Sequence, residues 1–449
     1  MIPTTLADIA VIVGGRVHGA GETPVHGAAT IDSREVMAGG LFAAIAGEHV
    51  DGHDFAVAAC ESGAAAVLAS QPVDAPCVVV DDVTEALGRL ARWLLEQIDP
   101  TVIAITGSQG KTSVKDLVAH LLEPSGPTVS ATGSFNNELG VPLTVLQADA
   151  HTRYLVLEMG ARGIGHIAKL CAIAQPDIGV VLNVGSAHLG EFGSRTAIAQ
   201  AKGEIVEALT PDGIAVLNAD DSVVAGLTVR TAARVLTFGK QGTVRFGEVE
   251  LNADGEPTFR LADGDDVVTT SVPQVGAHHA ANAAAAAAVA LAAGLDLATI
   301  GQRLTTARER SAMRMARTLR ADGVLVIDDA YNANPESMAA ALRAAAHVGG
   351  AGRRVAAVLG EMLELGTEAP QRHREIGALA AELGLDLVVA VGAGAKPIAD
   401  GAGERAVHAL DVDEAVRVVS AWLMPDDVVL VKASRGAHLE RVTSALLNS

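Results

Sequence analysis

Residues 102–122 carry four apolar residues, a glycine turn, a lysine and threonine, and then a stretch with helical periodicity. Val102, Ile103, Ala104 and Ile105 show no polar alternation. A strand of that kind must be covered on both faces, which is the condition of a parallel strand. Beyond the turn, Val114, Leu117, Val118, Leu121 and Leu122 share one face of a helix. The same strand–helix alternation recurs at 154–157, 178–182, 214–217, 324–327, 355–359, 387–391 and 428–431, which read as further buried strands. The expected class is therefore α/β.

A chain of 449 residues gives a prior of about three domains at roughly 150 residues each. We expect a small α/β N-terminal domain over 1–98, a central P-loop ATPase-like parallel-sheet domain over 99–312, and a C-terminal Rossmann-like α/β domain over 313–449. Asp99 before Pro100 marks the first break, because the residue before proline avoids the helix. A helix over 84–97 closes the first block, and residues 280–293 form an Ala-rich helix. Residues 234–273 alternate and are rich in Gly and Asp, which reads as an antiparallel extension of the central sheet.

The net charge of -20 excludes a broad basic face for nucleic acid and a polybasic membrane dock. Aromatics at 2% exclude stacking platforms. Cys60, Cys77 and Cys171 are odd in number and far apart. They suit a reducing cytosol and the role of small core hydrophobes. The first 15 residues lack the basic segment of a signal peptide. The longest apolar run, 283–293, is 11 residues, against the roughly 20 a membrane span needs. A cytoplasmic monomer is expected.

The turn between the strand and the helix is built for phosphate. Gly107 and Gly110 let backbone N–H groups of Ser108, Gln109 and Ser113 point inward, and the helix start adds partial positive charge. Lys111 can reach the outer phosphates and Thr112 can offer a hydroxyl to Mg²⁺. The usual first glycine is replaced by Ile105. Glu158 follows a strand and so sits on the sheet edge where ligands bind; it reads either as a solvated turn or as a carboxylate holding Mg²⁺. His188 lies past the next strand and reads as a structural donor or a second metal ligand. By pattern alone Lys202 is a surface lysine paired with Glu204 or Glu207.

Together these residues resemble the Mur ligase family, ATP-dependent amide ligases of bacterial cell-wall precursors. The run from Thr106 to Thr112 is similar to that family's shortened phosphate loop, and the resemblance covers essentially the whole chain. The runs 134–143 and 328–338, with 158–161, 360–366 and 432–436, point to the branch that joins D-alanyl-D-alanine to UDP-N-acetylmuramoyl-tripeptide. The resemblance implies ATP and Mg²⁺ as cofactors, Glu158 and His188 as magnesium ligands, and Lys202 as a carbamylated lysine. It implies that Asp32, Ser33, Arg34 and residues 47–55 hold the uridine diphosphate. It likewise implies that Asn136, Asn137 and Glu138 face the substrate, that Asn282 binds adenine, and that Arg314 and Asp329 approach the nucleotide. His279 departs from the family's asparagine, and Met313 stands where Gly or Pro often precedes the arginine.

Two chemistries compete with ligation. A nucleotide switch would use the same loop, but no N-K-x-D guanine motif occurs. A binding module would not need Glu158, His188 and Lys202 together. Amide formation needs the carboxylate oxygen turned into a leaving group, and two substrates held in register. Arg435 or Lys432, after a last-domain strand, would pair with the free carboxylate of the dipeptide, Arg with the better bidentate geometry.

Overall fold

The computed structural model describes residues 1–47, 50–131, 133–185, 189–308, 310–350 and 352–448. These residues form three open sheets in chain order, each flanked by helices, and a two-stranded ribbon of Thr4–Thr5 with Pro24–Val25.

In the first sheet Ala29–Thr30, Gly40–Ala43, Ala64–Ala69 and Cys77–Val79 run parallel, and Arg16–His18 adds antiparallel to the last. The helix Val83–Ile98 follows. Its start is capped by Asp82, whose carboxylate accepts from the N–H groups of Thr84 and Glu85, satisfying donors that a helix start leaves open. Its buried residues Leu87, Leu90, Ala91 and Leu94 join one apolar cluster with Ala104, Leu155 and Leu157 of the central sheet. The first and second sheets are thus welded through a shared core.

The central sheet runs, in spatial order, Asp266–Ser271, Pro257–Asp263, Val244–Leu251, Arg234–Gly239, Ile214–Asn218, Ile178–Val181, Thr101–Thr106, Tyr154–Glu158 and Thr128–Ser130. Every pair from Thr128–Ser130 to Arg234–Gly239 is parallel. This corrects the reading of 234–273 as wholly antiparallel. Arg234–Gly239 continues the parallel sheet, and antiparallel pairing starts between Val244–Leu251 and Pro257–Asp263. Alternation in sequence marks one-sided exposure, not strand direction, and this strand lies toward the sheet's margin.

One face is covered by Lys111–Leu122 and by His278–Ala292, whose Ala283 to Ala290 are all buried. Small side chains let that helix lie close to sheet and neighbouring helix without large aromatic filler. From Thr101–Thr106 the chain goes to Thr128–Ser130 and Tyr154–Glu158 on one side, then to Ile178–Val181 on the other. Connections therefore diverge at the C-terminal end of Thr101–Thr106, opening a crevice at the place where ligands bind in such sheets.

In the third sheet, Leu325–Asp329, Val428–Lys432, Val355–Leu359, Leu387–Val391 and Ala406–Ala409 are parallel neighbours, with Ala316–Leu319 antiparallel at the edge. Pro335–Gly349, Ala369–Glu382 and Lys396–Ala402 cover one face; Val412–Trp422 and Glu440–Leu447 cover the other. This is the expected α/β architecture. Among the described residues no helix is long and apolar enough to cross a membrane.

Candidate active site

The phosphate loop leaves the strand Thr101–Thr106 and enters Lys111–Leu122 through Gly110 at φ 81°. That left-handed conformation favours glycine, and a Cβ there would lie 2.9 Å from Asn282 Oδ1. Asn183, past the neighbouring strand, clamps the loop. Its Oδ1 accepts from the N–H groups of Ser108 (2.9 Å) and Gln109 (3.0 Å), and its Nδ2 donates to Gln109 O (3.1 Å). Lys111 Nζ donates back to Gly107 O at 2.8 Å. Burial lowers the Lys111 pKa; Glu158 draws it back up and Arg314 lowers it further.

Glu158 is the last residue of its strand and is buried. Its Oε2 accepts from Thr112 Oγ1 at 2.8 Å and its Oε1 from Asn136 Nδ2 at 2.7 Å. A buried carboxylate held by two donors is fixed in place. Asn136 belongs to the loop after Thr128–Ser130, and Lys115 anchors that loop from the helix. Fully buried, Lys115 donates to Ala131 O and to Gly133 O (3.0 Å) and lies 3.0 Å from Asp116 Oδ1. Further along, Asn137 Oδ1 accepts from Gly140 N at 2.8 Å, and His166 Nδ1 stands 3.7 Å from Glu138 Oε1.

Arg314 crosses from the linker into this group. Its Nη2 donates to Thr112 Oγ1 and Ser134 Oγ, each at 3.2 Å, and its guanidinium lies 4.4 Å from the Tyr331 ring centre. Met313 and Met315 beside it both have left-handed φ, 58° and 59°, a strained setting for non-glycine residues that holds the arginine inward. From the third sheet, Asp329 Oδ2 accepts from Lys432 Nζ at 2.6 Å, both groups buried. Arg435 also lies over Tyr331, at 5.6 Å, and its Nη1 donates to Met313 Sδ at 3.2 Å.

Two cavities open on these residues. The smaller, about 340 Å³, runs from Ser108, Gly110, Thr112 and Ser113 past Asn282 to Asp329 and Lys432. His278 and His279 also line it, and desolvation lowers the pKa of both imidazoles, that of His278 to about 4. The larger, about 780 Å³, is lined by Asn136, Asn137, Glu138, Lys202, Arg162 and Arg435, among others. Lys111, Glu158, Arg314 and Asn332 line both. The two spaces thus meet at a lysine, an arginine and an anchored carboxylate.

The structure brings Gly110, Lys111, Thr112, Ser113, Asn282, Arg314 and Asp329 to one cavity and Asn136, Asn137, Glu138, Lys202 and Arg435 to the other. Lys202 is not the surface lysine its pattern suggests. It is buried, and burial together with Lys111 holds its pKa well below that of an ordinary lysine. Glu204 instead accepts from Gly165 N and Ala168 N, and Glu207 pairs with Arg230. Ser33 and Arg34 line neither cavity; the Arg34 guanidinium folds onto Asp32 at 2.6 Å. His188 lies outside the described residues. Lys432 cannot serve as an open clamp for a dipeptide, because it is buried against Asp329. Asn183, Lys115 and Tyr331 escaped sequence reasoning. Lys115 left a signal, a charge beside the apolar positions of its helix, and Tyr331 lies in the run 328–338 without having been singled out.

The profile of the Mur ligase middle domain matches residues 105–290, that of the Mur ligase glutamate ligase domain 313–435, and that of the Mur ligase family catalytic domain 26–93. A UDP-N-acetylmuramoyl-tripeptide–D-alanyl-D-alanine ligase of Mycobacterium tuberculosis is 45% identical over 500 residues, covering 100% of this chain and 98% of that protein. The chain belongs to the Mur ligase family. The Escherichia coli ligase of the same name is 36% identical, with 99% of each chain covered. Among solved Mur ligases, MurF from Acinetobacter baumannii superposes with TM-score 0.88 at 33% identity, covering 100% of this chain and 99% of that one. MurF ligase from Thermotoga maritima, solved in complex with ADP, gives 0.79 at 30% identity over 94% and 97%.

Proposed function

We infer that this chain is an ATP-dependent ligase that adds D-alanyl-D-alanine to UDP-N-acetylmuramoyl-tripeptide, making the pentapeptide precursor of peptidoglycan. The carrying observation is the meeting of two cavities at Lys111, Glu158 and Arg314, in a chain alike over its full length to ligases of that name. The smaller cavity takes ATP, with phosphates over Gly107 to Ser113 and the base toward Asn282. The larger takes the acyl substrate and the dipeptide. The γ-phosphoryl passes to the tripeptide carboxylate, and the amine of the dipeptide attacks the resulting acyl phosphate.

Magnesium fits this site. Thr112 and Glu158 are oxygen donors, and among the described residues no cluster of three His, Cys, Asp or Glu occurs. Mg²⁺ asks one or two protein carboxylates and takes its other ligands from phosphate and water. When bound, it would offset phosphate charge. The chain's own groups do the rest. Lys111 and Arg314 stabilise charge on the transferring phosphoryl, and Asn136 and Thr112 hold Glu158 in place. Tyr331 orients Arg314 and Arg435 toward the junction through their planar faces. The Lys202 amine, its pKa lowered by burial and by Lys111, can as its free base add CO₂ at nitrogen and lose a proton to solvent to become an anionic carbamate. Ser33 and Arg34 remain our assignment for the uridine diphosphate end, and His188 for a second metal ligand.

We assign a monomer. Use of ATP and three free thiols suit the cytoplasm. The test is phosphate release with both substrates: it should require the tripeptide and the dipeptide together and yield a product of pentapeptide mass. Release that is indifferent to the dipeptide would refute the reading.

A further inference from the structure

The loop of Ser434 and Arg435 leaves the strand Val428–Lys432, and the segment 360–366 leaves Val355–Leu359. Leu363, Glu364, Ser434, Arg435 and Gly436 line the larger cavity on the side of the third sheet. Something must hold these two loops in one shape, because neither has regular secondary structure over 360–365 or at 433–434. Ser434 ties them to each other: its N–H donates to Glu361 O at 3.1 Å, and its Oγ accepts from Leu363 N at 3.0 Å.

Gly360 N–H donates to Lys432 O and Gly190 N–H to Glu364 O, and a further anchor is His373, on the helix Ala369–Glu382 and inside the domain at 1% exposure. Its Nδ1 lies 2.6 Å from Ala369 O, and its Nε2 lies 2.8 Å from Met362 N. A carbonyl oxygen only accepts, so Nδ1 carries the proton. A backbone N–H only donates, so Nε2 must be bare. The imidazole is thus fixed as one neutral tautomer between two backbone groups. Met362 is itself buried and immediately precedes Leu363.

We propose that His373 is the positioning residue of the amine-side wall. Its Nε2 acceptor fixes Met362, and through Leu363 and Ser434 it sets the place of Arg435 for the dipeptide. This rests on the reading of the larger cavity as the acyl and dipeptide site. His373 touches no substrate.

The test separates the two ring nitrogens. Gln at 373 can return an acceptor near the position of Nε2 but no donor near Nδ1; Asn returns the reverse. His373→Gln should keep the Michaelis constant for D-alanyl-D-alanine close to wild type. His373→Asn, which strands a buried N–H, should raise it roughly tenfold, while the constants for ATP and UDP-N-acetylmuramoyl-tripeptide stay put. If wild type ligates and the two variants share one dipeptide constant, or all three constants rise together, the proposal is overturned and the ligase reading is untouched. Should the Asn variant fail to fold, Ser434→Ala cuts the same path at Leu363. It must then raise the dipeptide constant selectively, and an unchanged constant overturns the proposal.

Discussion

At the scale of single residues, the junction holds its charges in an arrangement that a reaction can use. Lys111 lies between Gly107 O and the field of Glu158, ready to exchange a backbone carbonyl for phosphate oxygens. Lys111→Ala should cut turnover by ~10²-fold or more, the usual loss for one charge-stabilising donor, without unfolding the chain. A variant retaining a tenth of wild-type rate by steady-state phosphate release would remove the lysine from the mechanism. Lys202→Ala should be nearly inactive and partly rescued by added formate or acetate, because a small carboxylate can replace a carbamate. Absence of rescue, with a bare amine in a ligand-bound density map, would count against it. Arg435 and Lys432 separate by burial. Arg435→Ala should raise the Michaelis constant for the dipeptide alone. Lys432→Ala strands the Asp329 carboxylate and should destabilise the fold by about 3–5 kcal/mol, read by chemical denaturation. Equal melting of these two variants would contradict the assignment. Phosphate-loop glycines, Lys111 and Glu158 were legible because strand, turn and helix fix their places. The burial of Lys202 was not, since its helix shows no strong apolar stripe around it. Pattern made Lys432 look exposed because a strand end does not reveal which partner strand carries an acid.

At the scale of elements, the helix His278–Ala292 shows what the site demands of its scaffold. Its first turn carries His279, which is buried, and the more exposed His278, with rings 4.3 Å apart. Both ring nitrogens of His279 lack a hydrogen-bond partner among the described residues. A charge here would add to the positive end of a helix dipole. Burial pushes the His279 pKa well below 6.5, and desolvation where its ring lines the cavity lowers that of the more exposed His278 to about 4. The unfolded chain therefore binds more protons in this window, so stability should fall as pH drops from about 6.5 toward about 4. His278→Asn combined with His279→Asn should flatten that slope in thermal melts across about pH 7 to pH 5. A slope parallel to wild type would place the acid sensitivity elsewhere. Parallel strands such as 154–157 and 355–359 were readable from their unbroken apolar runs. The direction of Arg234–Gly239 was not, because alternation reports cover on each face and says nothing about the neighbour's direction.

At the scale of the whole molecule, the second and third sheets place their ends around one junction, and the first is joined to the second. The first shares a core with the second through Val83–Ile98. The third is tied to the second by the Arg317–Glu256 ion pair and by Arg314 over Tyr331. A single phosphoryl transfer followed by amine attack needs ATP, acyl group and amine close together with water kept out, and two cavities that meet at shared residues supply that arrangement. The most direct test is initial-rate phosphate release from ATP and Mg²⁺ with UDP-N-acetylmuramoyl-tripeptide and D-alanyl-D-alanine, added singly and together, with product mass recorded. The account predicts release at full rate only with both, matched mole for mole by the pentapeptide. Release at the same rate with either substrate omitted, or with no pentapeptide formed, would contradict it.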